Sequence, residues 1–112
     1  MNHAQGDENI LIGHKHHAHG NQNYLNGKGN KAEGHGNHLH GYRNEAIGEE
    51  NILIGKENIA QGNRNIIKGN NNKGSGHHNK AQGNDNFFIG NYNLIKGEGN
   101  AMKGNHNIAH GS

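Results

Sequence analysis

One apolar column runs through the chain at a spacing of seven, Ala4, Leu11, Ala18, Leu25 and onward to Met102 and Ala109, and only Gly74 interrupts it. Two residues before each member stands asparagine, with His16 the single exception. Two residues after each stands glycine, from Gly6 to Gly111 without a gap. The unit Asn-x-[Ala/Leu]-x-Gly-x-x is therefore copied sixteen times. Fixed positions at i, i+2 and i+4 have the period of a strand with one face turned inward, and two residues remain for a turn. A coiled-coil heptad would need two apolar columns and would not carry a glycine every second helical turn. A short unit repeated end to end predicts a solenoid in which each copy touches only its neighbours.

The polar positions say which side faces in. All eleven Lys and Arg and all nine Asp and Glu fall in the four variable columns. Burying an unpaired charge costs several kcal/mol, so the Asn, Ala/Leu and Gly columns are the interior. The apolar column also alternates small and large, as in Ala4/Leu11 and Ala32/Leu39. That alternation predicts two strands per coil, with one small and one large side chain meeting across a thin core. The expected fold is an all-β parallel β-solenoid, or β-roll, with seven residues per strand-turn unit, fourteen per coil and about eight coils. Residues 1–112 are expected to form one repeat domain of sixteen heptads with no separate caps. At about 4.8 Å per coil the stack should be roughly 38 Å tall. Within it, Gly74 with Ala81 reads as a loose coil and Phe88 with Ile95 as a crowded one.

Glycine is expected where a strand enters a tight turn and backbones approach closely. Asparagine just after the turn is expected to bond the turn backbone and to stack as a ladder. One such ladder, taken from alternate heptads, is Asn9, Asn23, Asn37, Asn51, Asn65, Asn79, Asn93 and Asn107. His16 is expected to be an inward member of these ladders.

Composition changes the picture mainly by exclusion. Mean hydropathy is −1.16 and only 28% of residues are hydrophobic, which suggests disorder by composition alone, but the strict period overrides that. No cysteine is present, so disulfides and thiol chemistry are excluded. The register already holds at Asn2, Ala4 and Gly6, so no signal peptide is expected there, and no apolar run is long enough for membrane insertion. The net charge of +2 is small and its basic residues are scattered, so no nucleic-acid partner is expected. Serine occurs only at Ser75 and Ser112; no carboxylate pair, phosphate loop or pocket is predicted, and the chain reads as a non-enzyme.

The outward columns carry the remaining candidates. At fourteen residues per coil, one face gains an apolar row from Ile10, Tyr24, Ile52, Ile66, Leu94 and Ile108, with His38 and Lys80 between them and Ile12 and Ile54 beside it. Such a row marks an association surface. The other face is more polar, with Ile47, Ile59, Phe87 and Ile89 in its middle and C-terminal half. Eight of twelve histidines lie in the first forty residues. His3 and His17 share a column and His19 lies beside them, a candidate set for zinc, copper or nickel. Protonating all twelve would move the formal charge from +2 to +14, so assembly is expected to weaken below about pH 6.

The segments Asn44–Gly48, Asn58–Gly62 and Asn107–Gly111 resemble the Ser-x-Ala-x-Gly heptads of YadA-like head domains of trimeric autotransporter adhesins, with Asn where that family has Ser. The resemblance covers the whole chain. It implies parallel β-rolls with two heptads per coil, assembly as a trimer, a cell-surface or extracellular location, and a host surface or matrix ligand. The string Gly41 to Ala46 is also similar to curlin repeats of bacterial extracellular amyloid fibres. Together these features predict a structural protein that associates with itself as a fibre or matrix assembly. A trimeric adhesin head is the alternative, and a histidine-based metal binder a second one. No resident cofactor is expected beyond a metal at the surface histidines.

Overall fold

The computed structural model describes residues 2–111. Sixteen short strands form two parallel sheets of eight, consecutive strands alternating between the sheets. Pairing advances fourteen residues per coil: Ile10 lies beside Tyr24, Leu11 beside Leu25, and Gly13 beside Gly27. The molecule is a flat, two-sheet β-solenoid whose main chain extends 38 × 20 × 11 Å. The long dimension agrees with the height expected from the repeat.

The apolar column is the core. The first sheet contributes Ala18, Ala32, Ala46, Ala60, Phe88 and Met102, and the second Leu25, Leu39, Leu53, Ile67, Ala81 and Ile95. Leu11 and Ala109 pack against it from the terminal coils. Leu25, Leu39 and Leu53 are fully buried, a contribution of about 1.5–3 kcal/mol apiece. Stacking resolves the apparent loose and crowded coils together. A Cβ placed on Gly74 would fall inside the Phe88 ring, so the ring of one coil fills the space left by the missing side chain of the coil before it.

Strands end where the backbone turns left-handed. The seventh position of the repeat has φ near 57°, as at Glu57 (56°), Arg64 (58°) and Asn71 (57°). This conformation costs most residues roughly 1–2 kcal/mol, and Gly36 relieves it (φ 66°). The column holds Glu, Gln, Asp, Lys, Arg, Asn, His, Tyr and Gly but no Ile, Leu or Ala after the first residue, the selection that a left-handed site imposes. The repeat glycine has a second reason to lack a side chain. Gly48 has φ 127°, and its Cβ would collide with the carbonyl oxygen of Gly62 on the next coil.

That carbonyl is where the glycine and asparagine columns lock together. Gly62 O accepts a hydrogen bond from Asn51 Nδ2 at 2.8 Å. The Asn51 N–H in turn donates to Asn37 Oδ1 at 3.1 Å, and Asn65 N–H donates to Asn51 Oδ1 at 3.0 Å. The backbone pairs coil to coil around the rest of the corner, as in Ile52 N–H to Asn65 O and Glu50 N–H to His35 O. Asparagine satisfies the N–H that follows the left-handed residue, and no buried side-chain nitrogen or oxygen among the described residues is left without a partner. In a thin core this complete pairing matters more than apolar area.

Candidate functional site

The candidate site is built from columns, because the coil spacing aligns each outward position with its copy above and below. The interior ladders come first. The expected series Asn9, Asn23, Asn37, Asn51, Asn65, Asn79, Asn93 and Asn107 runs along one corner, each N–H after the first donating to the Oδ1 of the asparagine one coil earlier. An equivalent ladder occupies the other corner, from Asn2 through His16 and Asn30 to Asn100. His16 is buried in it. Its N–H donates to Asn2 Oδ1 at 3.0 Å, its Nδ1 accepts from Asn30 N–H at 3.3 Å, and its Nε2 donates to Ile12 O at 2.7 Å. These partners require the tautomer with hydrogen on Nε2, and both ring nitrogens are occupied, so His16 is a ladder member.

A third ladder was not anticipated from the sequence. It lies outside the corner that leads from the first sheet to the second, at the residue following each repeat glycine. Glu49 N–H donates to Asn63 Oδ1, Asn63 N–H to His77 Nδ1, His77 N–H to Asn91 Oδ1, and Asn91 N–H to Asn105 Oδ1, at 2.9–3.2 Å. Here each side chain reaches back toward the N-terminal end of the stack, opposite to the interior ladders. The signal was present: Asn21, Asn63, Asn91 and Asn105 share this column. Beside it, the rings of His78, Tyr92 and His106 stack at 4.8 and 5.1 Å, and Arg64 Nε pairs with Glu50 at 2.9 Å in the open. A shallow hollow open to solvent follows this corner between Glu50 and Tyr92. An exposed pair of this kind contributes less than about 1 kcal/mol.

The apolar row is assembled on the second sheet as the period requires. Register carries Ile10 to Tyr24, His38, Ile52, Ile66, Lys80, Leu94 and Ile108 in one unbroken column. Ile12 and Ile54 lie two residues along the same strands. Ile10 is 50% and Ile108 75% exposed, whereas Tyr24, Ile52, Ile66 and Leu94 are half-buried; of these only Ile52 and Ile66 are direct neighbours. On the first sheet, Phe87 and Ile89 are exposed and, with Ile59, border a shallow solvent-open hollow over Gly74 and Ser75.

The histidine set is placed differently from a chelating cluster. His3 and His17 lie side by side in register, with ring centroids 5.0 Å apart and planes inclined by 15°. Face-to-face rings direct their nitrogens parallel to each other rather than at a common point. His19 pairs with Gln5 and Glu33 two residues along the strand. Among the described residues, no three His, Asp or Glu side chains are gathered as a group that could hold a metal ion.

Compared with protein-family models and with curated proteins, the chain matches none of either.

Proposed function

We propose that this chain is a non-enzymatic structural protein that associates with itself, its coils stacking end to end into a fibre. The observation that supports this reading is the polarity of its hydrogen-bond ladders. Each interior asparagine before the last coil accepts from the coil above, so each ladder begins in a donor and finishes in an acceptor. Among the described residues, Asn9 N–H at one end and Asn107 Oδ1 at the other have no partner, while Asn23 N–H and Asn93 Oδ1 do. The terminal core residues complement each other as well. Met102 and Ala109 close one end and Ala4 and Leu11 the other, so stacking would set large Met102 on small Ala4 and small Ala109 on large Leu11. Unpaired strand edges of this kind favour edge-to-edge addition.

A second reading, a discrete oligomer such as the trimeric head implied by the YadA-like resemblance, is favoured by the two-heptad coil and the apolar row. Electron microscopy of the purified chain at neutral pH over a concentration series separates the two. The fibre reading expects unbranched filaments with a repeat near 4.8 Å that lengthen with concentration. Particles of one fixed size at every concentration would overturn it in favour of the closed oligomer.

A further inference from the structure

The apolar column of the second sheet has an internal symmetry that the matching column of the first sheet lacks. From first coil to last it reads Ile10, Tyr24, His38, Ile52, Ile66, Lys80, Leu94, Ile108. Read backward, its chemistry is the same: aliphatic opposite aliphatic at the ends, Tyr24 opposite Leu94, His38 opposite Lys80, Ile52 opposite Ile66. We propose that two copies pack face to face through this sheet, related by a two-fold axis parallel to the strands, so that their solenoids run antiparallel. This rests on the self-association reading and supplies its lateral contact.

The operation is the one that preserves the column. A two-fold axis along the strands leaves position along each strand unchanged and reverses coil order, so the column meets its own reverse. In the neighbouring column it sets Ile54 on Lys68, whereas a two-fold axis along the stack would set both Ile66 on Lys68 and Leu94 on Lys96, which are neighbours on the same strands. The first sheet fails the same test. Its column reads His3, His17, Lys31, Glu45, Ile59, Lys73, Phe87, Ala101, and reversal puts Lys31 on Lys73 and Glu45 on Ile59. The face is also extensive, 38 × 20 Å along the main chain, where a standard interface buries roughly 800 Å² of accessible surface per partner.

The test uses two single variants mixed in equal amounts, Tyr24→Cys and Leu94→Cys, joined by a short bis-maleimide; the chain has no other cysteine. Facing sheets lie about 10 Å apart, within reach of the linker. The antiparallel pair expects the 24–94 cross-link in clear excess over 24–24 and 94–94 links, which would have to span five coils. Excess 24–24 and 94–94 links would mean parallel packing and overturn the proposal. Filaments without any such link would overturn it too while leaving end-to-end stacking intact, since stacking alone keeps residues 24 and 94 three coils apart. The 24–94 link without filaments would uphold the pair and sink the fibre. As a second readout, Lys80→Glu sets a carboxylate against His38 of the other copy and is expected to tighten pairing several-fold at neutral pH by sedimentation equilibrium. Unchanged or weaker pairing would show that these positions do not face each other.

Discussion

The first five coils and the last three solve the same packing problem differently. From Ala4/Leu11 to Ala60/Ile67 a small residue on the first sheet meets a large one on the second, and every coil repeats the last. After that, Gly74/Ala81 is small on both sheets, Phe88/Ile95 large on both and Met102/Ala109 reversed, so volume is balanced between neighbouring coils instead of within each one, with the Phe88 ring lying where a Gly74 side chain would be. The asparagine ladders and the glycine contacts pass through this change without a break: Asn72, Asn79 and Asn86 are as buried as Asn44 and Asn51. The backbone and its amide ladders therefore set the fold, and the core has only to fill it.

That contrast can be broken most severely at a glycine. Gly48→Ala adds a methyl group where Gly62 O stands and displaces the acceptor of Asn51. The strained φ, the overlap and the orphaned amide should together cost about 3–6 kcal/mol, read as a large fall in the urea midpoint or failure to fold. Next in size is truncation of the core on either side of the change. Phe88→Ala should cost about 3–5 kcal/mol and Leu39→Ala about 2–5; the former leaves two adjacent coils underfilled, so its unfolding is expected to show the larger loss in calorimetry. Gly74→Ala sharpens the comparison. Alone it should cost about 1–3 kcal/mol by overpacking against Phe88, and in a Phe88→Leu background much less, a coupling that a double-mutant cycle measures. The equivalent swap in the regular coils, Ala46→Gly, is expected to show no coupling to its neighbours of that size. Smallest is His16→Asn, which restores an amide able to donate to Gly27 O as its counterparts do to Gly34 O and Gly41 O. A gain of about 0.5–1.5 kcal/mol is expected, and a loss would mean that the imidazole is specifically required.

Most of the fold was legible because its determinants are properties of columns. Charges confined to four columns identify the interior, and the alternation of Ala and Leu gives two strands per coil. The row from Ile10 to Ile108 follows from the coil length alone, and so does the ladder through Asn9 and Asn107. What escaped depends on geometry that a period does not carry. The seventh position was read as ordinary turn, although its lack of branched aliphatic residues marks a left-handed backbone. The outer ladder through Asn63, His77 and Asn91 was missed because charged and aromatic residues share its column. The partnership of Gly74 with Phe88 needs the ring to lean across a coil boundary, a rotamer choice that coil-by-coil volumes do not contain. The stacking of His3 on His17 is likewise a matter of ring orientation rather than proximity.

The corners have one further consequence, for how such a chain can change length. Every corner but the one at His16 receives asparagine and glycine in the same way, so the backbone is indifferent to the gain or loss of a single heptad. Its surfaces are not. Removing seven residues would carry every later strand to the opposite sheet, placing Ile66, Leu94 and Ile108 above Lys31 and Glu45 rather than above Ile52. The chain thus has two reading frames, one of seven for folding and one of fourteen for what it displays, and only changes in steps of fourteen leave both intact.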